Sequence, residues 1–306
     1  MKILLASQKP FAASAVKEIR KIAEDAGHEF ATLEKYASEA ELIEAVKDAD
    51  ALIVRSDKVT AKVVEAADRL RIVVRAGAGY DNIDLAEATA HGICVMNTPG
   101  QNSNAVAELV FGMLLTLVRN RYNGTSGTEL KDKTLGIHAY GQVGRNVARI
   151  AKGLGMKVSA LDPWVKDEDM LADGVTPVHS VEELYEQNQY VSLHIPATEQ
   201  TKKSVGKALS ERLPKNGVLI NTARKEVIDE EGLEAALECR EDVRYIADVK
   251  PDIAGALEEK FGDRVMFTPK KMGAQTAEAN INAGIAAANQ VAMHLADGWN
   301  RFQVNK

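Results

Sequence analysis

The chain has 306 residues, 45% of them apolar and 27% charged, with a formal net charge of −6 at pH 7. Those figures describe an ordinary globular protein, long enough for two domains, and they argue against nonspecific nucleic-acid binding. Cys94 and Cys239 are too few for a disulfide framework, and no run is long and apolar enough to span a bilayer, so a reducing, cytoplasmic setting is expected.

Residues 1–99 alternate short apolar runs with amphipathic stretches. Strands are expected at Ile3–Ala6, Ala51–Arg55, Arg71–Arg75 and Ile93–Met96, and helices at Ala12–Ala26, Glu39–Lys47, Ala61–Ala67 and Asp84–His91. The N-terminus reads as the first of these strands, not as a signal peptide. Strand–helix alternation predicts a parallel sheet covered on both faces, of flavodoxin-like character. Thr98-Pro-Gly100 interrupts the pattern, and a largely apolar helix from about Asn104 to Arg119 follows. The polar stretch Asn120–Lys133 reads as a loop.

Residues 134–150 carry the most informative pattern. Leu135 and Ile137 suit a buried strand, Gly141 and Gly144 a tight turn and first helical turn, and Val143, Val147, Ile150, Ala151 and Leu154 recur at helical spacing. In such a strand–turn–helix the backbone approaches a pyrophosphate, which rests on N–H groups at the helix start. Ala139, Tyr140, Gln142 and Val143 complete the turn. Ala139 stands where the pattern expects glycine, and its methyl group costs more if the local φ is positive. A second strand ends at Asp162, 18 residues after Gly144, where an acid would accept hydrogen bonds from ribose hydroxyls and favour NAD over NADP.

Further strands are expected at Tyr190–Ile195, Gly217–Asn221, Tyr245–Val249 and Val265–Thr268. Helices are expected at Val181–Gln187, Lys202–Leu213 and Asp229–Glu238. An Ala-rich helix, Thr276–Ala296, is roughly 30 Å long at 1.5 Å per residue and would return the chain to the first unit. The expected organisation is therefore two doubly wound parallel-sheet domains, with a Rossmann nucleotide domain (100–282) inserted in a flavodoxin-like substrate domain (1–99 plus 283–306). A cleft between two such units is a preferred ligand site. His28, His91, His138, His179 and His294 lack metal-ligand spacing, so no metal is expected. Neither a Gly-x-Ser-x-Gly elbow nor a Walker run occurs.

Five runs, in order along the chain, carry a resemblance: residues 75–84, 97–108, 191–196, 221–224 and 268–273. Together they make the chain similar, over nearly its whole length, to the D-isomer-specific 2-hydroxyacid dehydrogenases. The run from Lys270 is similar to a lysine-bearing branch of that family whose members oxidise D-3-phosphoglycerate to 3-phosphohydroxypyruvate. The resemblance implies an NAD-dependent enzyme acting on a small anionic acid, without nucleic-acid or membrane partners, and a homodimer formed through the nucleotide domain. It also implies that the chain, ending about ten residues after its last helix, lacks the serine-sensing domain of larger relatives.

The resemblance assigns Arg224 to the substrate carboxylate and reacting oxygen. Lys270 occupies the position of the family's catalytic histidine, and acts either as the acid/base or as an anion anchor. Desolvation and the neighbouring cations Lys271 and Arg224 would lower its pKa toward the working range. The family's acid after Asp248-Val249 is replaced by Lys250-Pro251, with Asp252 the nearest candidate carboxylate and Glu226 another. Asn104, Thr222, Ala223 and Asp248 are implied near the nicotinamide, with Gly273 in the same cofactor set, and His194, Ile195 and Pro196 on the adenosine side. Arg55, Ser56 and Lys58, just past a strand end, suit a substrate phosphate, and the N–H groups of Gly77, Ala78 and Gly79 suit a carboxylate. Rival readings are another activity of the family, such as hydroxypyruvate or glyoxylate reduction, and a non-catalytic NAD-sensing protein.

Overall fold

The computed structural model describes residues 1–305. It divides into two compact units: Met1–Asn102 together with the segment from Gln275 onward, and Ser103–Ala274. The first unit contains β1 (Lys2–Ser7), α1 (Ala13–Asp25), β2 (Glu29–Glu34), α2 (Glu39–Val46), β3 (Ala51–Val54), α3 (Ala61–Glu65), β4 (Ile72–Arg75), α4 (Leu85–Ala90) and β5 (Cys94–Asn97). All pairings are parallel and the strand order is β2-β1-β3-β4-β5, the flavodoxin-like order expected. Alternate residues of the central strands feed two cores. Ile3, Leu5, Ile53, Ile72 and Val74 face one layer, and Leu4, Leu52, Val54 and Val73 the other.

The second unit contains α5 (Ser103–Val118), β6 (Thr134–His138), α6 (Gln142–Gly153), β7 (Lys157–Leu161), α7 (Asp167–Ala172), β8 (Thr176–Pro177), α8 (Val181–Gln187), β9 (Tyr190–Leu193), α9 (Lys207–Ser210), β10 (Val218–Asn221), α10 (Glu230–Cys239), β11 (Arg244–Ala247), α11 (Ala254–Phe261) and β12 (Val265–Phe267). Its seven strands run parallel in the order β12-β11-β10-β9-β6-β7-β8. Counted from β6, this is the Rossmann order with one strand added beyond the sixth. The order reverses at β6, which pairs with β7 on one side and β9 on the other, so the turn after β6 opens at the switch point where such sheets bind ligands.

The last helix, α12 (Ala277–Asp297), packs on α1, and a Cβ on Gly284 would come within 2.8 Å of Ile19 Cδ1. Ala283, Ala287, Ala288 and Val291 join the first unit's core. The return to that unit therefore falls before this helix, at residues 274–275, whereas the sequence reading placed it inside the helix at 282–283. A second difference concerns Lys202–Leu213, expected as one helix. Only Lys207–Ser210 is helical, because Gly206 is extended and Val205 bridges in parallel to Ile228. A Cβ on Gly206 would lie 2.9 Å from Asp229, so the chain here must remain close to the neighbouring segment.

His138 ends β6, its ring edge-on to Tyr185 with centroids 6.0 Å apart. Burial lowers its pKa from 6.5 to about 4, against the pull of Asp162. Burial, followed by the His138 charge, likewise lowers that of His194, whose Nε2 lies 2.9 Å from Ser192 Oγ. Both imidazoles are therefore neutral in the fold at pH 7. An unfolded chain takes up protons near pH 6.5 that the folded chain refuses, so stability is present above that pH and is lost as pH falls toward about 4. Denaturant unfolding between those pH values should show the loss, and His138→Gln should flatten its slope. An unchanged slope in the variant removes His138 as a cause.

Candidate active site

The turn joining β6 to α6 brings backbone close to the start of an uncapped helix. Ala139 holds φ +83°, so the costlier of the two outcomes for its methyl group applies, on the order of 1–2 kcal/mol relative to glycine. Its carbonyl reaches into the first turn of α6, where a Cβ on Gly144 would lie 2.4 Å from that oxygen. Gly144 is thus required for close approach. Gly141 precedes the helix without a side-chain cap, unlike Asp84, Ser180 and Thr276 at α4, α8 and α12. The N–H groups of Gln142, Val143 and Gly144 thereby remain available at the positive end of a twelve-residue helix. Behind them Val147, Ala148 and Ala151 bury one face of α6.

Asp162 stands just past β7, half-buried. Its Oδ2 accepts from the Tyr140 N–H at 2.8 Å and its Oδ1 from the Trp164 N–H at 2.9 Å. Each oxygen keeps a second lone pair for a ribose hydroxyl. Tyr140 contributes only backbone on this side, for its side chain is 1% exposed and its hydroxyl donates to Asp173 at 3.0 Å. Ile195 is buried and Pro196 exposed beyond the end of β9, next to the neutral His194.

Past β10, Asn221 shapes the loop by accepting from the Ala223 N–H and donating to the Arg224 carbonyl. Thr222 and Ala223 are buried, and the Thr222 hydroxyl makes no hydrogen bond among the described residues. Such a group costs about 1–3 kcal/mol until a partner arrives, which fits a site that receives a polar ligand. Arg224 is half-buried, one guanidinium nitrogen donating to the Ala223 carbonyl at 3.0 Å.

Asp248, 1% exposed at the end of β11, organises the segment that bears Lys270. It accepts from Thr268 Oγ1 at 2.9 Å, from the Met272 N–H at 2.6 Å and from the Gly273 N–H at 2.8 Å. A Cβ on Gly273 would lie 3.1 Å from both Asp248 Oδ2 and Val106 Cγ2, so the segment is packed tightly there. Lys270 itself is exposed, and the burial that the sequence reading expects around it is not supplied by the fold. Asp252 is also exposed, its carboxylate 2.6 Å from Lys225 Nζ. Glu226 is exposed beside that pair. Asn104 is exposed and bonded to Glu108 and Arg149. Val106, which the sequence reading passed over, is the α5 residue that meets the Asp248–Gly273 segment.

In the first unit, Arg55 is half-buried over Phe11, its guanidinium carbon 5.1 Å from the ring centroid, with bonds to the Lys9 carbonyl and Asn280. Burial lowers its pKa while Asp57 opposes the shift. Ser56 and Lys58 are exposed. Asp57, also missed from sequence, is 4% exposed and accepts from Gln8 N–H, Tyr36 Oη and Arg55 N–H, bracing the loops after β1 and β3. The Gly77 N–H donates to the Arg75 carbonyl, and the Arg75 guanidinium lies where a Cβ on residue 77 would be. Ala78 and Gly79 are half-buried, the Ala78 carbonyl accepting from Asn97. Among the described residues no group of three His, Cys, Asp or Glu side chains could hold a metal ion, and no helix is long and apolar enough to cross a membrane.

Residues 4–305 match the family described as D-isomer specific 2-hydroxyacid dehydrogenase, catalytic domain. A D-3-phosphoglycerate dehydrogenase of Methanocaldococcus jannaschii is 37% identical over 268 residues, covering 82% of this chain and 51% of the relative, so this chain spans about half of that protein. A hydroxypyruvate reductase of Thermotoga maritima is 34% identical over 275 residues, covering 83% of this chain and 88% of the relative. Among solved structures, an NAD+-bound 3-phosphoglycerate dehydrogenase of Entamoeba histolytica is 48% identical, superposes with a TM-score of 0.88, and is matched over 100% of this chain and 99% of that one. The strand orders, the turn after β6 and these matches together place the chain in the D-isomer specific 2-hydroxyacid dehydrogenase family.

Proposed function

We propose that this chain is an NAD-dependent D-3-phosphoglycerate dehydrogenase, oxidising its substrate to 3-phosphohydroxypyruvate in the first step of serine synthesis. The observation that carries this reading is the end-to-end match, at 48% identity, to the NAD+-bound 3-phosphoglycerate dehydrogenase. The uncapped start of α6, Asp162 at the end of β7 and the unpartnered Thr222 hydroxyl support a dinucleotide at the β6 switch point. Asp162 favours NAD, because its charge repels a 2′-phosphate. The proposed protein is a cytoplasmic homodimer associated through its nucleotide unit.

Bound NAD supplies the hydride acceptor. Arg224 binds the carboxylate and C2 oxygen of the substrate in a forked geometry and holds C2 in register. Lys270 Nζ takes the C2 hydroxyl proton during oxidation and returns it during reduction. Asp248 fixes the segment that carries Lys270 through its three accepted hydrogen bonds. Asp252 is held by Lys225 and stands on the lip of the loop, and the Lys270 base works as the neutral amine without leaning on it. A histidine base leans on a carboxylate to raise its pKa, whereas a lysine is basic without one. Arg55, Ser56 and Lys58 take the phosphate. The Gly77 carbonyl bond to Thr98 N–H steadies the loop from which Ala78 and Gly79 offer N–H groups to the substrate carboxylate.

A second reading, reduction of hydroxypyruvate, has the Thermotoga maritima relative in its favour, which this chain matches over 88% of that relative's length. Steady-state assays at 340 nm with 3-phosphoglycerate, glycerate and hydroxypyruvate separate the two. Lys270→Ala should lower kcat by about 10²–10⁴ with little change in NAD affinity, and turnover close to wild type would exclude Lys270 as the acid/base. Arg55→Ala and Lys58→Ala should raise KM for 3-phosphoglycerate about tenfold or more, as loss of a charge-assisted contact does, while sparing glycerate. Equal KM changes for both acids would remove these cations from the phosphate.

A further inference from the structure

Ala139 adopts a backbone conformation that residues with a Cβ rarely hold, at φ +83°. Such a residue persists only where its surroundings over-determine it. Two bonds from backbone N–H groups flank it: its own N–H donates to the Leu161 carbonyl at 2.9 Å, and the next N–H, of Tyr140, donates to the Asp162 carboxylate. A third restraint comes from a cluster outside the proposed chemistry. The Tyr140 side chain is 1% exposed, and its hydroxyl donates to Asp173 Oδ2 at 3.0 Å. Arg145 donates to the same oxygen at 2.5 Å and lies over the phenol ring, 4.8 Å from its centroid. Lys152 Nζ donates to the Asp173 carbonyl.

We infer that Tyr140, Asp173 and Arg145 form a latch that holds Ala139 left-handed, so that the turn presents its N–H groups to the nucleotide pyrophosphate. The inference rests on the nucleotide-binding reading above. Relaxing Ala139 to negative φ would rotate the following peptide, pull the Tyr140 N–H from Asp162 and draw the phenol out of its buried site. The turn therefore relaxes only if the latch opens. A glycine at 139 has no such preference and needs no latch. Tyr140 and Asp173 are thus positioning residues, acting on the nucleotide through the backbone at 139.

The test is a double-mutant cycle on the intact protein: wild type, Tyr140→Phe, Ala139→Gly and the double variant, with NAD affinity measured by calorimetry and melting followed in parallel. Tyr140→Phe should weaken NAD binding about tenfold when residue 139 is alanine, equivalent to about 1.4 kcal/mol, and under about twofold when it is glycine. Asp173→Asn, which keeps the volume and removes the charge, should repeat the pattern and serves in its place if Tyr140→Phe does not fold. The same fold-change in both backgrounds overturns the latch. If the wild type binds no NAD, the nucleotide reading fails, and the melting data then judge the latch alone: shifts that shrink with glycine at 139 support it, and additive shifts overturn it.

Discussion

The carbonyl of residue 139 must sit inside the first turn of α6, where residue 144 has no Cβ to block it. From this one steric requirement the rest of the nucleotide unit's geometry follows. It draws the helix close to β6, so that Val147, Ala148 and Ala151 pack against Leu135 and Ile137. It points the Tyr140 N–H at Asp162 and so fixes that carboxylate just past β7. It also leaves the first N–H groups of α6 without a capping side chain, where an anion is most strongly favoured. The added methyl of Ala139 makes the arrangement more costly than glycine would, and the buried phenol of the next residue is its counterweight.

Both units solve a common problem with the same chemistry. A loop leaving the carboxyl end of a parallel strand carries N–H groups that the sheet no longer satisfies. Asp57 after β3 and Asp248 after β11 are buried carboxylates placed at such ends, each accepting from three donors. Hydrogen bonds to charged groups are worth about 1.5–3 kcal/mol each, enough to hold a loop in one conformation. The cations on the loops they hold, Arg55 in one case and Lys270 in the other, remain half-buried and exposed respectively. Rigidity at each strand end thus comes from a buried carboxylate.

Much of this architecture was legible in the residues. The apolar runs gave the central strands of both sheets because strands buried on two faces read as continuous hydrophobic segments. The second strand, Glu29–Glu34, escaped because it lies at an edge, where apolar Phe30, Ala31 and Leu33 are interspersed with polar Glu29, Thr32 and Glu34 and no continuous hydrophobic run forms. Helix α11 escaped because Pro251 and Gly255 disguise its start, and α9 was drawn too long because the bridge of Val205 to Ile228 is a long-range pairing that no local pattern announces. At the site, turn, helix and acid were readable from spacing. The supports were not: Asp57 meets Tyr36, and Tyr140 meets Asp173, 33 residues away, and only the fold brings such partners together. Nor does sequence reveal that Asp252 is held by Lys225, or that Lys270 lies exposed.

The two-residue strand β8 ends the larger sheet with Pro177 paired to Ala160. Proline has no N–H to offer, and a strand this short exposes almost no ladder. A neighbouring chain therefore finds no template there for adding a strand of its own. One border of a seven-stranded sheet, ordinarily an invitation to fibrous stacking, is closed by a single imino acid.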